Sequence, residues 1–450
     1  REAEKQKLKA EQNSREANKQ QAKAIKAAFE AKLSEKKATA EEAKAKSAQE
    51  RAENLRFQSI ALSMAIKSKG IRDENLKGLV ARQAYIFWRD YNQLNQAFSG
   101  DIYSGVYYAL KELKNDSSNM LIGHENAVRS VVFDKDGDRL FSAGSDGKIL
   151  KWNLIDETAT VLFQNNNVSR VVGISPDERY LALGSDENDI FLFDLQRPNA
   201  EPKKIAGHGG SVFDLIFLPD NSGFVSVGAD RTIRISDFNT SELFRNVKGR
   251  IKTLAIGPNG KYLAGGSEKG EVLLFDLEDR EAEPILLHND EINPVNAIVF
   301  SNSGDQIAFG KYNGNVLLWD LSGIEEFRFS QKGPVLTGFD GPVTDLKFSY
   351  DDKYLGATST DKTARIWFMD QIFELPIVLD DHTDWVFTLD FHPSGNYLIT
   401  GSKDKMIRKW PVKPDGMANE ICDYLGRNMS PTEWTQYVGD DIPKEETCDE

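Results

Sequence analysis

Large apolar side chains are almost absent from the first twenty residues, recur at helical spacing through the next ninety, and alternate with polar ones from about residue 118. Residues 1–69 are rich in Ala, Glu, Lys and Gln, with no Pro and no Gly before Gly70, so helix propensity is high throughout. A continuous helix of that length reaches on the order of 100 Å at 1.5 Å per residue. Ile25, Phe29 and Leu33 stand at i, i+4 and i+8, and a denser set runs from Leu55 to Ile66. The early part therefore predicts a solvated stalk or weak coiled coil, open to self-association, and the later part a helix packed on something. Residues 70–117 predict a small helical bundle. Asp73 caps a helix with Leu76, Leu79, Val80, Ala84 and Phe87 on one face, and Asp101 caps another with Ile102, Val106, Ala109 and Leu110 inward. The stretch NQLNQAFSG (92–100) supplies the turn between them.

From about 118 to 412, short β runs alternate with Gly, Asp and Ser turns, and the pattern repeats. With Trp152 as anchor, equivalent positions fall at Phe193, Ser236, Phe275, Trp319, Trp367 and Trp410. Nineteen residues before each anchor stands an apolar residue, in order Phe133, Ile174, Phe217, Ile256, Phe300, Phe348 and Phe391, with no gap inside any unit. All length variation lies between units, in loops such as RPNAEPKK and SGIEEFRFSQKG. Seven units of about 40 residues, each able to form a four-stranded sheet, predict a mainly β, seven-bladed propeller. The last unit turns away after Trp410 through PVKPDG, so its fourth strand must come from elsewhere. SNMLI, before Gly123, is the unassigned strand that would remove the open edge.

The repeats resemble those of the WD-repeat family. Gly123-His124 and Gly207-His208 match its opening dipeptide, and LWD at 318–320 its closing one, while LFD, KWN, IWF and KWP depart from it. The resemblance implies a hydrogen-bonded tetrad. It is complete in unit one as His124, Ser142, Asp146 and Trp152, and in unit seven as His382, Thr400, Asp404 and Trp410. Unit three has His208, Ser226 and Asp230, but Ser236 replaces the tryptophan, and the other four units lack the histidine. These histidines are expected to be structural, and the units without tetrads to depend on apolar packing. The segments LVARQAYIFWRDY and ICDYLGRNMSPTEWTQYVGDDIPKEETC resemble the linker and C-terminal module of Bacteroidetes-type membrane-linked WD-repeat proteins. In those, a STAND-type nucleotide switch or a protease-like domain often precedes the helix and propeller. The chain starts without Met, which leads us to expect such an effector upstream of Arg1.

Charge is unevenly distributed. Residues 1–70 hold 17 Lys/Arg against 10 Asp/Glu, which leaves 39 against 60, a charge of −21, in the remainder of a chain of net charge −14. An acidic body of this kind argues against nucleic acid. No phosphate-binding loop, HExxH, GxSxG or EF-hand loop is present, so catalysis, cofactor and metal are not expected. His288 reads as a solvated loop residue and His392 as a strand-end residue before a turn. Residues 413–450 predict a helical cap, with Ser430, Pro431 and Glu433 as a helix start. Cys422 and Cys448 are the only cysteines. Joined, they imply an oxidising compartment; free, they leave it open. The basic stalk would favour the cytoplasmic side of an upstream membrane helix, whereas the family resemblance favours the periplasmic face.

Binding is expected at one rim of the propeller. The first strand of each unit starts 25 residues before its anchor and presents alternate residues to the channel mouth. Those positions bring Arg129, Arg170, Phe213, Arg250, Lys252, Trp385 and Phe387 together. Arginine with exposed aromatics is the composition of an interaction hot spot. On an acidic body it fits an acidic or polar peptide-like segment of a protein partner. The sequence thus predicts a non-catalytic scaffold or sensor module, with the sensor arm of a larger NTPase or protease switch, or a propeller enzyme, as alternatives.

Overall fold

A computed structural model describes residues 1–92, 99–115, 119–322 and 332–448. The NQLNQAFSG turn and the SGIEEFRFSQKG loop fall largely outside the described residues.

Seven four-stranded antiparallel sheets surround one axis. In blades 1 to 6 the strands follow chain order from the axis outward. Blade 7 is completed by Met120–Ile122, which pairs antiparallel with Met406–Pro411 through Met120↔Arg408, Leu121↔Ile407 and Ile122↔Met406. The first strand of every blade begins with a register shift after its first residue, as at Val128/Ser130 and Val386/Thr388. That bulge re-aims the side chains near the channel mouth. Apolar clusters lie between neighbouring blades: Phe141, Ile149, Val172 and Leu183 join blades 1 and 2, and Val225, Ile233, Leu254 and Phe275 join blades 3 and 4. Each blade therefore buries a face on both sides, and the ring has no open end.

The stalk helix α1 (Glu2–Ser68) is exposed from Arg1 to Glu53. Only its last three turns pack, through Phe57, Ala61, Met64 and Ala65; Leu55 and Ile66, expected inward, face out because they fall on the opposite side of the helix. Next come α2 (Glu74–Tyr91) and α3 (Gly100–Leu113). Asp73 caps α2 by accepting from the Leu76 N–H at 2.7 Å. The cap of α3 is Ser99 rather than Asp101: the Ser99 hydroxyl accepts from the Asp101 N–H at 3.2 Å, which places Asp101 inside the first turn. Helices α4 (Pro414–Tyr424) and α5 (Pro431–Tyr437) close the chain, α5 with a capping box between Ser430 and Glu433. The five helices share one core with blades 6 and 7, including Tyr103, Phe87, Trp410, Val412, Ile421 and Trp434. Tyr103 donates to the Pro411 carbonyl at 2.7 Å, and Lys111 pairs with Asp381 at 2.9 Å. The end of the stalk is thus tied directly to the propeller's closing blades.

Candidate functional site: the mouth of the channel

Three layers of polar chemistry surround the axis. In the outer frame stand the tetrads. His124 Nδ1 lies 3.0 Å from the Asp146 carboxylate, its Nε2 2.8 Å from Ser142 Oγ, and Trp152 Nε1–H donates to the same Oγ at 2.8 Å. The matching set in blade 7 runs from His382 Nδ1 to Asp404 at 2.8 Å, from Nε2 to Thr400 Oγ1 at 2.7 Å, and from Trp410 Nε1–H to Thr400 at 2.8 Å. Because the carboxylate only accepts, Nδ1 carries the proton, and the hydroxyl donates a hydrogen bond to Nε2 while accepting one from the indole. In blade 3, His208 keeps both bonds, but the buried Ser236 Oγ that replaces the indole has no partner among the described residues.

Burial lowers the pKa of His382 despite the opposing effect of Asp404. For Asp404 burial pushes upward, but the His382 hydrogen bond and charge prevail and hold it at about 2. The neutral ring in the fold binds a proton less readily than the unfolded chain does. Its stabilisation is therefore full above the unfolded value of about 6.5 and is lost as pH falls below it. Replacing His382 by Gln should give a melting-temperature deficit that shrinks between pH 7.5 and pH 5.5, measured by calorimetry. A deficit independent of pH over that range contradicts the assignment.

Inside the channel stands a second layer that the sequence reading did not identify. Asp214 accepts from the Leu254 N–H at 2.7 Å, Asp345 from Leu389 N–H at 3.1 Å, and Asp390 from Phe133 N–H at 2.8 Å. Each carboxylate reaches from the first strand of one blade to the first strand of the next. Burial pushes Asp214 and Asp390 up to about 6. Lys347 faces the three; burial opposes its charge, but Asp345, Asp390 and Asp214 outweigh it and raise its pKa. The signal in the sequence was an acid at an inward position of a β run (FDLIF, TDLKF, TLDF), legible only once the channel is known to be lined by neighbouring first strands.

The third layer is the mouth, a cavity of about 600 Å³ bordered by Arg129, Arg170, Phe213, Lys252, Trp385 and Phe387. Arg129 donates from Nε to Ser145 Oγ at 2.7 Å and lies 4.2 Å over the Phe387 ring. Burial, and then the charge of Arg170, lower its pKa. Trp385 is 45 % exposed, stands edge-on to Phe387 and carries Lys403 Nζ 4.4 Å above its ring. Lys252 is exposed and makes no ion pair among the described residues. Two arginines are already neutralised: Arg170 by Asp186, and Arg250 by Glu268 at 3.6 Å. Arg250 also does not border the cavity. It stands just before the Ile251–Ile256 strand and turns outward to Glu268, which corrects the expectation that it joins the rim.

Of the two remaining histidines, His288 differs from expectation and His392 stands, as expected, at a strand end before a turn. His288 sits on the strand Ile285–Asn289, packed 5.0 Å from Phe309 and 5.9 Å from Trp319, and is not a solvated loop residue. His392 follows its strand, binds Ser394 Oγ at 2.7 Å and stacks on Tyr397. Cys422 and Cys448 are joined as a disulfide. Among the described residues, no group of three or more His, Cys, Asp or Glu is placed to hold a metal ion, and no helix is long and apolar enough to cross a membrane.

Five segments, 115–153, 200–237, 286–320, 330–367 and 373–411, match the family profile of the WD domain, G-beta repeat. The unmatched blades 2 and 4 carry Phe193 and Phe275 at the anchor position and no tetrad histidine. Among curated proteins, the chain is similar to the Target of rapamycin complex subunit LST8 of Saccharomyces cerevisiae, 27% identical over 248 residues, or 54% of this chain and 81% of that protein. It is 24% identical to the Serine-threonine kinase receptor-associated protein of Mus musculus over 253 residues, covering 55% and 68%. It is also 24% identical to the Nuclear distribution protein PAC1 of Arthroderma otae over 340 residues, covering 72% and 67%. These relatives are eukaryotic, and their names carry nothing of a membrane-linked bacterial protein. Repeat pattern, blade closure, tetrads and matched segments together make this chain a seven-bladed β-propeller in which five of the blades match the WD40 repeat.

Proposed function

We propose that the propeller is a non-catalytic interaction scaffold that takes an acidic or polar, peptide-like segment of a protein partner at the channel mouth. The observation that carries this reading is the unneutralised pair of cations at the mouth, Arg129 and Lys252, set among Phe213, Trp385 and Phe387. Arg129 is half desolvated and held by Ser145, so a carboxylate arriving there meets a pre-positioned donor in a low-dielectric setting. The aromatic rings supply contact area at little conformational cost. Two of the relatives are named as a complex subunit and a receptor-associated protein, which accords with a binding role.

Trp385 provides the readout. Titrating the full chain with a poly-glutamate peptide is expected to change Trp385 fluorescence with saturation. The Arg129→Glu, Lys252→Glu double variant should weaken binding at least tenfold, while Arg250→Glu leaves it unchanged. Equal binding by all three proteins sinks the mouth as the site.

A second reading, the sensor arm of a larger NTPase or protease switch, is favoured by α1, a helix of 67 residues whose far end from the propeller is wholly exposed. Within either reading we place the propeller at the cell envelope, on its periplasmic face. The support is the Cys422–Cys448 disulfide, which needs an oxidising compartment.

A further inference from the structure

Each sheet of the propeller ends in an outer strand whose far edge has no neighbour within the blade. Such a row of N–H and C=O groups is a template for another strand unless it is blunted by charge, proline, brevity or cover. Six of the seven are blunted. Lys203–Ala206 carries two lysines in four residues, and Ser241–Asn246 carries Glu242 and Arg245. Lys332–Leu336 contains a lysine and Pro334. Met120–Ile122 and Ile377–Leu379 are three residues each, the latter packed against α3. Ile285–Asn289 is five residues, bounded by Pro284 and Asp290.

The outer strand of blade 1, Thr158–Gln164, has none of these devices. At seven residues it is the longest of the outer strands, and no charged residue or proline occurs from Thr158 to Ser169. Thr158, Ala159, Thr160 and Val161 are all exposed, and Ile155, in the turn that leads into the strand, is 92 % exposed. The exposed part is also the regular part. Thr158 to Val161 pair in step with Asn153 to Leu150, and the register shifts only beyond Val161.

We propose that this edge joins two copies of the chain, antiparallel through Thr158–Val161, so that the two blades 1 form one continuous eight-stranded sheet. The choice of a second copy rests on self-complementarity. A two-fold axis through Thr160 sets Thr160 opposite its own copy, Ala159 opposite Val161 and Thr158 opposite Leu162. Three of these five are β-branched, and no like charges meet. The nearest charges, Glu157 and Asp156, come opposite Phe163 and Gln164. A strand bearing charges of its own would find no counter-charge along this edge. The isologous contact closes on itself, which limits the assembly to a dimer rather than a fibre. Because each copy carries a net charge of −14, long-range repulsion opposes the pairing, and salt relieves it.

Sedimentation equilibrium of the full chain tests the proposal. At 150 mM salt we expect a reversible dimer that tightens as ionic strength rises. The double variant Thr160→Lys, Val161→Lys changes two exposed side chains and should weaken it at least tenfold with an unchanged melting temperature. Hydrogen exchange of the 158–161 amides should slow with protein concentration in the wild type and not in the variant. Phe29→Glu on the stalk should leave the dimer intact. A wild type that stays monomeric, a dimer that survives the lysines, one lost with Phe29→Glu, or the absence of concentration-dependent protection at 158–161 each overturns the proposal.

Discussion

Replacing Trp410 by Ala is expected to lower the unfolding free energy by about 3–5 kcal/mol, the range for removing a fully buried aromatic from a packed core. Trp410 has no exposed surface, lies 5.4 Å from Tyr107 and belongs to the core that joins blades 6 and 7 to the helices. Its loss therefore opens a cavity at the seam between propeller and stalk as well as within the blade. It also removes the indole donor from Thr400, whose hydroxyl then keeps only His382. Trp410→Phe separates the two effects: it retains most of the bulk and should cost about 1 kcal/mol for the missing hydrogen bond. Urea denaturation of the two variants measures both. A cost for Trp410→Ala no larger than that for Trp410→Phe would show that the site collapses around the gap. Blade 3 lives with Ser236 at the equivalent position, but there the helices do not pack behind it.

Converting Cys422 to Ser is expected to cost the C-terminal cap about 3 kcal/mol, from the loop-closure entropy of a bridge between residues 26 apart. The tail is otherwise held by few groups. Asn428 accepts from the Thr447 and Cys448 N–H groups at 2.8 and 2.9 Å, and Thr447 donates to Gln83 of α2 at 2.8 Å. Without the bridge, residues 443–448 should become the first site of proteolytic cleavage, and the reduced wild type should behave in the same way. Equal protease resistance of the oxidised wild type and Cys422→Ser would mean that the polar contacts suffice alone. Counting free thiols on protein taken from its native compartment then tests the periplasmic placement directly.

The repeat was legible without coordinates because a blade is a local object. Its turns and its anchor lie within about 30 residues of one another, so a fixed spacing such as Phe133 to Trp152 records the hairpins. The tetrads of blades 1 and 7 were implied by the WD-repeat resemblance, and they could be placed residue by residue because His124 and Asp146 sit on loops of one blade. The strand before Gly123 was unassigned in the repeat pattern, and its place in blade 7 was what the WD-repeat resemblance implied; the pairing with Met406–Pro411 bears this out. The rim was legible as a set of positions but not as a charge distribution. Arg170 and Arg250 each find an acid one hairpin away, Asp186 and Glu268, whereas Arg129 and Lys252 make no ion pair among the described residues.

What the amino-acid order determined by itself was therefore what repeats within a unit: blade number, strand alternation and turn chemistry, with the tetrads added by the family resemblance. What tertiary structure alone decided arises between units. The carboxylates of Asp214, Asp345 and Asp390 bond the backbone of the next blade, 40 or more residues away or across the closure of the ring. Trp410 acquires its weight from helices drawn from both ends of the chain. The bare edge at Thr158–Val161 is conspicuous only beside the six other outer strands. Local spacing encodes hydrogen bonds closed within a hairpin; burial, neutralisation and exposure depend on which distant surfaces the closed ring brings together.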